Sequence, residues 1–406
     1  MKTLKHPIHL LGAVMLVLLT SCSSDDNEPQ GSNIDPTILV DYTKIHTWLK
    51  GDVKGFIAQS GIDVPSEAIA YDVDIYDVVY KTPYKGEMIE ASGRVLVPVT
   101  TETVSTACFS HGTIGADADA MTNIRAGSNT TILLSGLASF GMVTVAPDLI
   151  GFGSSVELYH PYYVYEPTAT ATINNLLAAK LLAEELGIQT DKELYLAGYS
   201  QGGYTTMSTH KYIEENGIDF FDLKASFPAS GGYFIKGVQD YFFARDVYQQ
   251  PFYLAYVANA YHDYYDWGST YPLTLFFNEP YASSIPDLLD GSLSNGEINA
   301  MLNDTVAVLV NNDFLTDPTG PDYQFLIDMY DDNSPIGWVP KNAVFMYHGS
   351  GDTTVPYQNS VDVYDQFLEA GATTVSFTTI DGGTHATGVG PYLEGLLGHI
   401  IEMEDE

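Results

Sequence analysis

Basic residues are scarce in this sequence. Of 406 residues only 16 are lysine or arginine, against 52 aspartates and glutamates, which leaves a formal charge of −36. A surface so acidic repels phosphate backbones, which excludes nucleic acid as a partner. Acidity of this kind otherwise serves solubility. Cysteine is nearly missing too: Cys22 and Cys108 are the whole supply, too few for a disulfide framework. Cys108 sits in the apolar run Thr106-Ala107-Cys108-Phe109, where a buried thiol is inert. Beyond the first twenty or so residues no run is apolar enough to cross a bilayer, and no internal repeat is visible. Carboxylates are plentiful but not grouped as metal ligands, since Asp117 with Asp119 and Asp263 with Asp266 read as solvated loops. Gly151-Phe152-Gly153 lacks the third glycine and following helix of a dinucleotide fingerprint. No metal and no cofactor is therefore expected.

What is present begins with an address. Lys2 and Lys5 precede an apolar stretch over residues 8–19, too short for a comfortable membrane span. That is the layout of a secretory signal peptide. It ends in Leu19-Thr20-Ser21-Cys22, which resembles the bacterial lipobox, in which the cysteine is lipidated and the peptide before it removed. Residues 1–22 are thus expected to be the signal and Cys22 the anchor to the membrane. Residues 23–33 are polar, acidic and aperiodic, a flexible tether. Acidic residues beside such a cysteine resemble a surface-export signal, which implies an outward-facing position on the outer membrane.

The whole chain is 45% apolar and 12% aromatic, enough for the body, residues 34–406, to build a large core. Residues 73–80 and 88–97 alternate as half-buried strands, with Lys85-Gly86 as the turn, and predict a hairpin at a sheet edge. Strand-then-helix alternation follows: strands over 107–110, 142–146, 193–199 and 223–227, with helices over 168–186 and 202–215. Such alternation predicts a mostly parallel sheet covered by helices on both faces, an α/β fold. From about 233 to 340 the strand signal fades and aromatics crowd in, which predicts a mostly helical cap inserted before the last two strands. A helical stretch is expected over 295–309. The sheet pattern resumes at 343–347 and 375–380, with helices at 360–370 and from 391.

Gly198-Tyr199-Ser200-Gln201-Gly202 matches G-x-S-x-G and stands between a strand and a helix. The glycines permit a turn too tight for side chains, and the turn lifts the serine hydroxyl above the sheet. Asp352 follows the strand that ends at Tyr347, and His385 follows the next strand, giving the order Ser…Asp…His. In that arrangement His385 takes the proton of Ser200, and Asp352 orients and stabilises the imidazole. The backbone N–H of Gln201, at a helix N-terminus, and that of Thr113, in His111-Gly112-Thr113 after an earlier strand, are the candidate oxyanion donors. Gly112 and Ile114 are the neighbours that could replace Thr113, and Asp381 is the alternative acid. His348 reads as loop-shaping, and His160, His210, His262 and His399 as structural or surface residues. The loop from Asp148 to Ser155 reads as turn-shaping beside the site.

With these residues in place the chain resembles the α/β-hydrolase superfamily from about residue 73 onward. Gly198-Tyr199-Ser200-Gln201-Gly202-Gly203 and Trp338-Val339-Pro340, shortly before His348-Gly349-Ser350-Gly351-Asp352, are similar to motifs of the secretory lipases. The resemblance implies an α/β-hydrolase fold with a helical cap over an acyl pocket, and a serine carboxylic ester hydrolase, either a long-chain lipase or a broader esterase. Its substrate would be a small-molecule, lipid or sugar ester; tyrosines outnumber phenylalanines 29 to 18, which suits polar parts. Two other readings stay open: a serine peptidase resembling the prolyl oligopeptidases, and a non-catalytic surface-binding lipoprotein on the same scaffold.

Overall fold

The computed structural model describes residues 34–62 and 65–404; Cys22, the signal segment and the acidic tether lie outside the described residues. Among the described residues nine strands form one sheet: β1 Leu39–Trp48, β2 Val73–Tyr84, β3 Glu87–Pro98, β4 Val104–Ser110, β5 Met142–Pro147, β6 Thr190–Tyr199, β7 Asp222–Ala229, β8 Ala343–Gly349 and β9 Val375–Ile380. Their spatial order is β1-β2-β3-β5-β4-β6-β7-β8-β9. The first three strands and the β3–β5 contact are antiparallel, and every later pairing is parallel. Parallel neighbours need crossover helices, and these cover both faces. Tyr165–Glu185 and Gln201–Asn216 bury Leu176, Leu182 and Ile213 on one face. Asn129–Phe140 and Val389–Glu404 bury Leu137, Leu396 and Ile400 on the other. Removing such a side chain to alanine costs about 2–5 kcal/mol. The expected sheet with helices on both faces is the one observed.

Two details differ from the sequence pattern. The β2–β3 hairpin, turned by Lys85 and Gly86 with φ of 49° and 83°, is not the sheet edge, because β1 pairs outside β2. Two register shifts interrupt β1, between Leu39 and Asp41 and between Lys44 and His46. Such bulges break the period-2 alternation that would have marked the strand, and nearly all of β1 is exposed. The stretch 295–309 is two short helices, Asn295–Met301 and Val306–Leu309, rather than one.

Between β7 and β8 the chain leaves the sheet and builds a helical unit from Ile235–Phe243 to Gln324–Asn333. Its core, with Phe252, Tyr261, Trp267, Phe276, Phe314 and Leu326 buried together, runs on into the body through Tyr162, Tyr163, Val164 and Tyr204. This unit sits over the carboxyl ends of the strands, since Tyr248 Oη donates to Thr354 O at 3.1 Å and Asn295 Nδ2 to Thr113 O at 2.8 Å. Among the described residues no helix is long and apolar enough to cross a membrane.

Candidate active site

β6 delivers the chain into Ser200, and the helix Gln201–Asn216 leaves from it. Ser200 has φ 61° and ψ −121°, a conformation that costs a non-glycine residue about 1–3 kcal/mol and persists only where packing over-determines it. The packing is visible. A Cβ at Gly198 would strike the Gly202 carbonyl, and one at Gly202 would strike the Ser110 and His111 carbonyls. Ser200 N–H donates to Ala229 O at 2.8 Å, which ties the turn to β7.

β8 and β9 lie side by side, so the loops that follow them meet: Gly351 N–H donates to Gly383 O at 2.9 Å. This contact brings Asp352 and His385 together. His385 Nδ1 stands 2.6 Å from Asp352 Oδ2, and His385 Nε2 stands 2.9 Å from Ser200 Oγ. Because the carboxylate can only accept, the proton sits on Nδ1, which leaves the Nε2 lone pair facing the serine hydroxyl. Asp352 Oδ1 accepts from the backbone N–H groups of Thr354 and Val355 at 2.8 and 3.0 Å. Burial alone would raise the Asp352 carboxyl, but the donors His348 and His385 outweigh it and hold it at about 2.

His348 is completely buried in this group, its Nε2 3.3 Å from Asp352 Oδ2. Its Nε2–H is aligned on Val355 O at 3.1 Å, and Nδ1 faces Ser360 Oγ at 2.7 Å. It shapes the acid's loop and adds a favourable N–H dipole beside the carboxylate. Asp381, the alternative acid, makes no hydrogen bond to His385.

The loop after β4 lies against the serine, since a Cβ at Gly112 would be 3.7 Å from Ser200 Cβ. Thr113 follows directly. Its Oγ1 is 2.9 Å from Tyr162 Oη, its carbonyl is held by Asn295, and Ile114 O accepts from Tyr256 Oη at 3.3 Å. Gln201 opens the helix, where backbone N–H groups have no intrahelical partner. Its side-chain Nε2 donates to His160 Nε2 at 2.5 Å, while His160 Nδ1 donates to Ile150 O at 2.6 Å. Burial pushes the His160 imidazole down to about 3, so it is neutral and can accept. In the sequence His160 reads as a structural or surface histidine, and nothing there singles out Asn295, Tyr162 or Tyr256. Their partners lie tens to hundreds of residues away, so no local pattern marks them. Asp148 does shape the neighbouring loop: it accepts from Thr122 and Ser92. Cys108 is buried, its thiol pushed up to about 12 by that burial.

A cavity of 60 Å³ opens on Ser200 and runs under the cap between Val238, Phe242, Leu254 and Val257. On the His385 side an open cleft of 340 Å³ is lined by Gln250, Phe252, Asn295 and Thr384. Tyr253 and Thr354 border both. A larger apolar cavity of 460 Å³, between the helices Lys50–Ser60, Asn129–Phe140 and Val389–Glu404, touches Gly112 and Thr113 but none of Ser200, Asp352 and His385. Ser200 borders the first of the smaller pair and His385 the second. Among the described residues no group of three or more His, Cys, Asp or Glu could hold a metal ion.

No family model matches the sequence, and no curated protein does. Solved structures match closely in shape. A candidate hydrolase of Legionella pneumophila superposes with a TM-score of 0.80 at 23% identity, over 90% of this chain and 98% of that one. The rice cell wall degrading esterase LipA of Xanthomonas oryzae, in a ligand-bound form, gives 0.76 at 24%, over 89% and 97%. The fold is that of the α/β-hydrolases. Candida antarctica lipase A is similar at a TM-score of 0.62 and 17% identity, over 87% of this chain and 79% of that one. At these identities the likeness speaks for the α/β-hydrolase fold, and the chemistry has to be argued from the side chains.

Proposed function

We propose that the chain is a serine-type carboxylic ester hydrolase that works through an acyl-enzyme on Ser200. The observation that carries this reading is the hydrogen-bonded series Asp352–His385–Ser200, at 2.6 and 2.9 Å, with the serine raised on a strained strand-to-helix turn. His385 Nε2 removes the Oγ proton as Oγ adds to the ester carbonyl, and the carbonyl becomes an oxyanion. The backbone N–H groups of Gln201 and Thr113 are the donors assigned to that oxyanion. The imidazolium then gives its proton to the leaving alcohol, and water, deprotonated by His385, releases the acid and restores Ser200. The 60 Å³ cavity would take the acyl part and the open cleft beside His385 the alcohol, whether small molecule, lipid or sugar. That similar structures are named as esterases and a lipase supports an ester substrate.

We propose further that Cys22 carries the lipid that holds this body on the outer membrane, facing outward. The support is the Lys2/Lys5 start, the apolar stretch 8–19, Leu19-Thr20-Ser21-Cys22 and the acidic segment after it.

The test of the activity is hydrolysis of chromogenic esters by the body lacking residues 1–22, with Ser200→Ala and a proline-type peptide amide alongside. Ester turnover that vanishes in Ser200→Ala is the expected result. Amide cleavage without ester turnover would replace the esterase reading by a peptidase. For the anchor, Cys22→Ser is expected to move the full chain out of the membrane fraction, and continued attachment would refute it.

A further inference from the structure

The cavity at Ser200 does not end in the apolar wall that a plain hydrocarbon acyl group would call for. Gln239, on the helix Ile235–Phe243, is 4% exposed and borders both the 60 Å³ cavity and a further apolar cavity of 30 Å³ deeper in the cap. Its Oε1 accepts from Tyr330 Oη at 2.8 Å, and Tyr330 borders both cavities as well. Leu254 completes the partition. Beyond it lie Trp267, Phe276 and Phe314. Gln239 Nε2, by contrast, has no hydrogen-bond partner among the described residues. A buried amide is satisfied in nearly every native structure, and an orphan beside a cavity points to a group that arrives there.

We propose that this pocket takes a short acyl group carrying a hydrogen-bond acceptor at its far end, an alkoxy- or oxo-acyl ester, and that Gln239 reads that acceptor. The proposal rests on the ester-hydrolase reading above. Tyr330 fixes the amide by holding its oxygen, so the two N–H bonds are turned away from Tyr330. The volume limits the acyl group: 60 Å³ is far below the roughly 150 Å³ that holds a benzene ring in an apolar protein cavity, which leaves room for about two to four carbons. Selectivity follows from desolvation. An acyl group without an acceptor leaves the buried amide unpaired in the bound state, whereas an ether or keto oxygen pairs it, and sites built this way discriminate strongly against the analogue lacking the polar atom.

The experiment compares p-nitrophenyl esters of equal heavy-atom count: methoxyacetyl with butanoyl, and 3-methoxypropanoyl with pentanoyl. Each kcat/KM is divided by the rate of alkaline hydrolysis of the same ester, which removes the electronic effect of the oxygen. The protein is the body lacking residues 1–22, native and as Gln239→Leu and Tyr330→Phe. The expected result is a normalised preference for the oxygenated member of at least one pair of about tenfold or more in the native chain. In Gln239→Leu that ratio should collapse to within about twofold, and in Tyr330→Phe, which frees the amide to turn, it should fall part of the way. Turnover of both members alike, or a preference that survives Gln239→Leu, overturns this proposal and leaves the hydrolase reading standing. No turnover of any of the four esters by the native chain overturns both.

Discussion

Asp352→Asn isolates the electrostatic core of the proposed mechanism, because the structure dictates which way the new amide must face. Thr354 and Val355 both donate backbone N–H groups to Oδ1, so the asparagine oxygen has to stay there. The amide nitrogen is then forced into the Oδ2 position, 2.6 Å from His385 Nδ1. A donor now faces Nδ1, which must therefore become the acceptor, and the imidazole proton moves to Nε2, where it confronts Ser200 Oγ. The base has lost its lone pair at the serine. A reversed tautomer of this kind lowers turnover about 10⁴-fold, or about 5 kcal/mol of transition-state stabilisation. The cost in stability is smaller and has a definite pH dependence. A carboxyl held at about 2 contributes stability that is fully present above its unfolded value near 4 and is lost as pH falls through 2. The contribution is about 2 kcal/mol at neutral pH. The assay is kcat/KM on a chromogenic acetate, with circular dichroism and a urea midpoint to show that the variant is folded. A folded Asp352→Asn protein that keeps more than about a tenth of native kcat/KM would refute the assignment of the acid.

Three further perturbations test neighbouring parts of the argument. Gly202→Ala drives a methyl into the Ser110 carbonyl of β4, and is expected to lower the unfolding free energy by about 3 kcal/mol or more; a urea midpoint within error of native would contradict the close approach. Asn295→Ala removes the donor that holds Thr113 O and should cut kcat/KM about tenfold while costing only about 1 kcal/mol of stability; unchanged kinetics would separate that contact from catalysis. His160, pushed down to about 3 by burial, stays neutral in the folded chain while the unfolded chain binds a proton below about 6.5. Its effect is therefore absent above pH 6.5, and stability drops by about 1 kcal/mol per pH unit as pH falls from there toward 3. Urea midpoints between pH 7 and 4 should fall less steeply in His160→Asn, and equal slopes would argue against a buried neutral ring.

The parts of this molecule that were legible in the sequence are those whose cause is local. Strand-then-helix alternation announces a parallel sheet because each crossover must bury its own apolar stripe, and Gly198-x-Ser200-x-Gly202 announces a tight turn because a Cβ at either glycine meets backbone at once. That Asp352 and His385 would come together is legible for a related reason: each stands directly after a strand, and adjacent parallel strands oblige the loops at their carboxyl ends to meet. β1 was missed where two bulges broke its alternation, so the edge of the sheet was misplaced by one strand. What no pattern could disclose are pairings made across the cap. Gln239 and Tyr330 stand 91 residues apart, and Asn295 and Thr113 stand 182 apart. In the chain each is an ordinary polar residue, and nothing beside it names its distant partner. Their meaning arises only when the helical insertion folds back over the strand ends. On the proposed mechanism the sheet thus fixes where Ser200, His385 and Asp352 meet, and the cap fixes what can reach them. A change confined to the cap is therefore expected to alter which esters are turned over before it alters how they are cleaved.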